Sequence, residues 1–343
     1  VTWAERAEAA HAVLLERYRS GWTGLFRPAD PPAAGDRLRL AYWWQAQALD
    51  ALVDAQLRAP TVAGARRIRA FVAGLRLVRA GRLVNDYYDD VAWMALALLR
   101  ADAVGAGTGR LARGLWRHLI GGWSDTHGGG ISWSRGQRDY KNVPANGPAA
   151  ILAARLHRRY GDPADLRWAQ RIVEWIDNTL VDHATGLVWD GIGRRGDDHV
   201  DRDWLFTYTH GVLIGAHDEL AALTGDPRHT ARADATTDAV VTHLCQDGVL
   251  QDEGDGDGAM FRGICARYLG ARNRPRCRAV LLRSSEAAWS NRDAAGRFGI
   301  SWRTPPSGGS SLAAHLSGLF LCEQAAALER GSPGRGRAPA EPD

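Results

Sequence analysis

The sequence predicts an all-α protein closed into an (α/α)6 barrel, a toroid of six helical hairpins. Three observations carry that expectation. Apolar residues recur near every 3.6 positions along most of the chain, the period of a helix with one buried face. About twelve such segments can be marked off, which makes six pairs. Alternate segments open with aromatic, amide, acidic or glycine-rich residues and then turn apolar, while those between are more charged and lack such an opening.

In chain order the predicted helices lie at 2–19, 38–58, 62–80, 88–102, 108–121, 144–160, 163–181, 208–224, 227–244, 258–271, 275–291 and 309–329. The even-numbered ones carry "AYWWQAQALDALVDA", "NDYYDDVAWMALALL", "YKNVPANGPAAILAARL", "WLFTYTHGVLIGAHDEL", "GDGAMFRGICARYL" and "PSGGSSLAAHLSGLFL". The odd-numbered ones include "RRIRAFVAGLRLVR" and "DLRWAQRIVEWIDNTL". A helix enclosed by others can be apolar nearly all round, whereas its outer partner keeps a polar face. Successive antiparallel hairpins place all six inner N-termini at one end, where the openings meet around one concave site. The openings differ from one another, unlike the repeated consensus of an open solenoid. Short hairpin pieces are expected at 129–134, "GGISWS", and 186–192, "GLVWDGI". One domain is expected over 1–330, with 331–343, "GSPGRGRAPAEPD", as a disordered tail that has nothing to bury.

Composition narrows the class. Hydrophobic residues make up 45% and charged residues 24%, the balance of a globular domain. The net charge is +4, carried by arginine. Arg66, Arg67, Arg69, Arg76, Arg79 and Arg82 fall on one predicted helix, and Arg155, Arg158 and Arg159 on another. These read as solvated outer faces, and no nucleic-acid motif accompanies them. There is no apolar run long enough for a transmembrane helix. Cys245, Cys265, Cys277 and Cys322 form no Cys-x-x-Cys pair and are expected as buried free thiols, which suits a reducing compartment. The chain as given is expected in the cytoplasm, as a monomer; secretion would require a leader removed before Val1.

Chemistry concentrates in "NDYYDDVAW", residues 85–93. A helix N-terminus favours nearby anions, which accounts for one aspartate but not for the adjacent pair Asp89 and Asp90 with Asp86 beside them. Neighbouring carboxylates raise each other's proton affinity. One ionised and one protonated carboxyl is the state that cleaves glycosidic bonds. Retention needs them about 5–5.5 Å apart and inversion needs more. Adjacency leans toward the shorter separation.

Fourteen tryptophans are present, and flat aromatic faces hold sugar rings. Trp43, Trp44, Tyr87, Tyr88, Trp93, Trp133, Trp189 and Tyr208 lie in or beside the openings, and Gln45, Asn142 and Asn146 supply amides that can both donate to and accept from vicinal hydroxyls. Of these, Trp44, Gln45, Tyr88, Trp133, Asn142, Asn146 and Tyr208 are the expected substrate-binding set. There is no His-Glu-x-x-His, no Walker loop and no Gly-x-Ser-x-Gly elbow. No metal or cofactor is expected. His210 and His217 read as core or site-lining groups, and "RRGDDHVDRDW" at 194–204 and "DEGDGD" at 252–257 fit no calcium loop.

Taken together, "YWWQAQALDALVDA", "NDYYDDVAW", "GGGISWSRGQRDYKNVPANGPAAILAARL", "FTYTHGVLIGAHDEL" followed by "LTGD", "FRGICARYL" and "NRDAAGRFGISW" resemble glycoside hydrolase family 76, the bacterial endo-α-1,6-mannanases and their fungal cell-wall relatives. The likeness runs from residue 42 to residue 302. It implies an (α/α)6 barrel and a retaining, metal-free endo-hydrolase acting on α-mannan or manno-oligosaccharides. It also implies Asp89 as nucleophile, Asp90 as general acid/base and Asp190 in "VWDGI" as a substrate-binding acid. Thr209 and His210 stand where the family leads one to expect an Asn-Gln pair, and Met94 where a larger aromatic or polar residue is common. Transglycosylation on the same polymer and mannan binding without turnover are the alternatives; the intact acid pair argues against the latter. An enzyme of this kind lacking a leader would meet imported oligosaccharides, or a lipid-linked mannan at a membrane whose anionic surface suits the arginine-rich helices.

Overall fold

The computed structural model describes residues 1–33, 40–272 and 274–331. Positions 38–39 of the second predicted helix and residues 332–343 of the expected tail lie outside the described residues. Within them the helices are α1 (Trp3–Val13), α2 (Tyr42–Arg58), α3 (Val62–Val78), α4 (Tyr88–Ala103), α5 (Gly109–Ile120), α6 (Val143–Tyr160), α7 (Pro163–Leu180), α8 (Thr207–Thr224), α9 (Pro227–His243), α10 (Gly258–Arg272), α11 (Pro275–Ser290) and α12 (Leu312–Gly331). The first differs from expectation: after Val13 the winding loosens to a π-turn over Leu14–Tyr18.

The even-numbered helices pack side by side, α2 on α4, α4 on α6, and so on to α12, which returns to α2 and closes the ring. Outside it α3, α5, α7, α9 and α11 each cover the preceding inner helix, and α1 covers α12. This is the (α/α)6 barrel. Burial follows position. On α4 every residue from Val91 to Leu99 is buried, whereas on the outer α5 burial falls on Ala112, Leu115, Trp116 and Leu119, one stripe at helical spacing. Each fully buried Leu contributes about 1.5–3 kcal/mol.

Two hairpins turn on the same three residues. Gly161-Asp162-Pro163 ends α6 and starts α7, and Gly225-Asp226-Pro227 does so for α8 and α9. Both glycines are left-handed, at φ 76° and 70°, the aspartates cap the next helix, and proline fills its first position, where no N–H is needed.

Inside the ring, Asp50 and Asp54 of α2 face Arg100 of α4 at 2.7 and 2.6 Å, and Asp54 also meets Arg267 of α10 at 2.8 Å. Burial works against the charge on Asp54, yet Arg267 and Arg100 hold its carboxyl below the ordinary carboxylate range. The strands are two-residue pieces. Gly191–Ile192 pairs antiparallel with Lys141–Asn142, and Ser132 bridges Lys141, so the segments expected as separate hairpins join one strip between α5 and α8. All four cysteines are free; Cys245 is half-buried and the other three are buried.

Candidate active site

A cleft of about 680 Å³ opens where the inner helices begin. Its walls come from the openings of α2 (Trp43), α4 (Tyr87, Asp89, Asp90, Trp93), α6 (Asn142, Pro144), α8 (Phe206, Tyr208) and α10 (Asp257, Phe261). The opening before α12 stays out. Ser310–Ser311 pairs with Ala29–Asp30, and this stretch lines a separate pocket of about 470 Å³.

Asp89 and Asp90 occupy the first turn of α4. Both oxygens of Asp89 accept: Oδ1 from the Asp90 backbone N–H at 2.9 Å and Oδ2 from the Trp133 indole at 2.9 Å. Asp90 accepts on Oδ2 from the Asn85 amide at 2.5 Å. Both residues are half-buried and line the cleft. Burial, followed by repulsion from Asp90, pushes Asp89 up to about 8 against the pull of its two donors. Burial pushes Asp90 up to about 6, with Asn85 pulling down and Asp257 pushing up. Both carboxyls therefore keep their protons to higher pH than an ordinary aspartate, Asp89 more strongly than Asp90.

Trp133 is set by a braced loop. Its carbonyl accepts from the Tyr88 N–H at 2.8 Å, and the Arg135 N–H donates to Asp86 at 2.8 Å, pairing the loop with the residues before α4. Asn146 clasps Ile131 by accepting its N–H and donating to its carbonyl, both at 2.8 Å. The buried Lys141 ammonium donates to the carbonyls of Ser124, Thr126 and Gly129.

Aromatic faces make two walls. Tyr87, Trp133 and Tyr140 stand at centroid distances of 5.0 and 5.7 Å. Opposite, Tyr208 stacks on Phe261 at 3.8 Å, and Phe206 and Trp204 continue the row. The Tyr140 hydroxyl donates to Asp190, whose carboxyl burial pushes up to about 6. Asp257 accepts both the Trp43 and the Trp44 indole N–H on one oxygen at 2.8 Å.

Of the expected residues, Asp89, Asp90, Trp133, Asn142, Asp190 and Tyr208 meet in the cleft. Trp44, Gln45, Tyr88 and Asn146 do not line it. Gln45 spends its amide on the N–H and carbonyl of Phe26, Tyr88 stacks on His118 at 5.3 Å, and Asn146 serves the Trp133 loop. Trp44 is buried behind Trp43. Thr209 and His210 turn away as well. The Thr209 hydroxyl donates to the Phe206 carbonyl, and the His210 ring accepts from the Val188 N–H at 3.0 Å. Met94 is fully buried in the core.

Gln137, Tyr140, Arg194, Trp204, Phe206, Asp257 and Phe261 line the cleft without having been singled out as site residues from sequence. The acidic stretches form ion pairs and hydrogen bonds with neighbouring side chains. Asp201 forms a two-pronged pair with Arg194 at 2.8 and 2.9 Å, and Asp198 meets His127 at 2.9 Å. Among the described residues no group of three His, Cys, Asp or Glu side chains could hold a metal ion. Nor is any described helix long and apolar enough to cross a membrane.

The structure of the GH76A α-1,6-mannanase from Salegentibacter sp. HEL1_6 superposes with a TM-score of 0.90 at 34% identity, covering 95% of this chain and 99% of that one. An inactive variant of that enzyme, with two consecutive aspartates changed to alanine and α-1,6-mannotetrose bound, gives 0.91 at 33% identity, covering 96% of this chain and 100% of that one. The Lin0763 protein of Listeria innocua gives 0.91 at 32% identity, with 96% and 98% covered. Among curated proteins, the mannan endo-1,6-alpha-mannosidase DCW1 of Candida glabrata is 28% identical over 160 residues, covering 43% of this chain. The match spans only 36% of that protein's length. The description "Glycosyl hydrolase family 76" fits residues 2–333. The chain belongs to glycosyl hydrolase family 76.

Proposed function

We propose that this protein hydrolyses internal α-1,6 bonds of mannose chains with retention of configuration. The observation that carries the reading is the adjacent pair Asp89 and Asp90 lining an aromatic cleft, with burial raising the proton affinity of both. Support also comes from the Salegentibacter mannanase, whose variant lacking two consecutive aspartates is inactive and holds α-1,6-mannotetrose.

Asp89 is the nucleophile. Its two oxygens already accept from fixed N–H groups, a pattern that suits an anion. Asp90 has one oxygen engaged by Asn85, and among the described residues the other takes no hydrogen bond, so it can carry the proton. Burial favours the proton on Asp89. The reactive form is the one in which that proton has passed to Asp90, leaving Asp89 as the anion that the positive charge developing at the anomeric carbon stabilises. Asp89 then attacks the anomeric carbon, while Asp90 protonates the departing glycosidic oxygen. Water opens the glycosyl-enzyme, giving its proton back to Asp90. Stacked faces such as Tyr208 on Phe261 hold neighbouring sugars, and an open cleft admits a chain that continues past the cut bond.

The test is Asp89→Asn and Asp90→Asn. Each should lower the rate on linear α-1,6-mannan by several orders of magnitude while folding and mannotetraose binding persist. Full activity in either variant would overturn the assignment.

A further inference from the structure

Helix α3 presents a face that the cleft does not use. Between Asp54 and Asp86 the chain carries seven arginines and no acidic residue. Arg66, Arg69, Arg76 and Arg82 are exposed. Among the described residues, none of these four has a carboxylate oxygen within 4.0 Å. On other outer surfaces some arginines are matched, Arg159 by Asp102, Arg228 by Asp226 and Arg276 by Asp238. The exposed Arg110, Arg117 and Arg167 on α5 and α7 are not, among the described residues, and they stand without a cluster of exposed apolar side chains like that around α3.

Apolar side chains stand exposed among these charges. Trp22 is 80% exposed, Val62 74% and Leu77 67%. Positions 62, 66, 69, 73, 76 and 77 share one side of a helix by spacing. The Trp22 turn rests on the same helix: a Cβ placed on Gly74 would collide with the Thr23 carbonyl, and Gly24 lies against Ala70. Unmatched like charges repel one another, and an exposed tryptophan leaves a large apolar ring in water. One surface relieves both, a layer of anionic headgroups over hydrocarbon. Nucleic acid would match the arginines and leave Trp22, Val62 and Leu77 wet.

We propose that the outer face of α3, with Trp22, docks this protein onto an anionic lipid bilayer. The helix ends at Val78, ten residues before the helix that bears Asp89, so docking places the membrane beside the cleft's rim.

The test uses sugar-free vesicles, so its outcome is independent of the mannanase reading. Co-sedimentation is measured with phosphatidylcholine vesicles with and without roughly a third phosphatidylglycerol, at moderate salt. The protein should bind the anionic vesicles and not the neutral ones. Each arginine near the surface is worth roughly fivefold, so Arg66→Gln, Arg69→Gln, Arg76→Gln and Arg82→Gln together should weaken binding more than about a hundredfold. Trp22→Ala with Leu77→Ala should weaken it too, and both variants should keep the parent's thermal midpoint and its rate on mannotetraose. Equal partition into neutral vesicles, or undiminished binding by the arginine variant, would overturn the proposal. So would duplex-DNA binding that outcompetes the vesicles and ignores the Trp22 and Leu77 changes.

Discussion

Trp133→Phe isolates one hydrogen bond. The substitution deletes the indole N–H that reaches Asp89 at 2.9 Å and leaves an aromatic ring between Tyr87 and Tyr140. A hydrogen bond to a charged acceptor is worth about 1.5–3 kcal/mol. If the anion of Asp89 is what reacts, that loss appears as a rate drop of roughly tenfold to hundredfold, at 1.36 kcal/mol per decade. It also appears as a pH shift. A donor that stabilises the anion lowers the carboxyl's pKa, so removing it raises the pKa. The nucleophile must be ionised, so the acid limb of kcat/KM should move up by about one to two pH units. The assay is a pH profile on α-1,6-mannotetraose, with circular dichroism to confirm folding. An unmoved acid limb in a folded variant would refute the role given to Trp133. A shift of the alkaline limb alone would reverse the roles of Asp89 and Asp90.

Three further substitutions probe the surroundings. Asn85→Ala removes the donor to Asp90; its proton affinity rises, and the alkaline limb should move to higher pH. Asp257→Asn keeps an oxygen for both indoles but removes a charge that pushes Asp90 up; the alkaline limb should move down. Opposite movements are the signature, and shifts in the same direction would contradict the electrostatic reading. Asp54→Ala leaves Asp50 alone between Arg100 and Arg267, so one buried positive charge loses its match. Stability should fall by about 3–5 kcal/mol in denaturant unfolding, and a loss below 1 kcal/mol would show that water or Asp50 replaces the missing partner.

The sequence revealed the ring because inner and outer helices obey different solvation rules. An enclosed helix such as α4 can be apolar on every side, and α5 cannot. It placed the cleft for the same reason, since polar groups at the start of an apolar helix must face something other than core. It did not reveal which neighbour points where. Successive residues on a helix diverge by about 100°, so Trp43 lines the cleft and Trp44 is buried, and Tyr87 faces the cleft while Tyr88 packs on His118. Amides were ambiguous for a chemical reason. The donor and acceptor that suit a diol also suit an unpaired peptide group, which is what Gln45 and Asn146 satisfy. Tyr140, Arg194, Trp204 and Asp257 sit in connecting segments without periodicity. Only the folded chain brings Tyr140 to Asp190 and Asp257 to the paired tryptophans.

The most direct experiment follows the first products from linear α-1,6-mannan by proton NMR and by size. The paired-aspartate mechanism predicts α-configured reducing ends at the earliest times and a spread of oligosaccharide lengths from the start. Newly formed β-anomers would exclude the covalent intermediate on Asp89, and release of mannose alone would exclude endo cleavage.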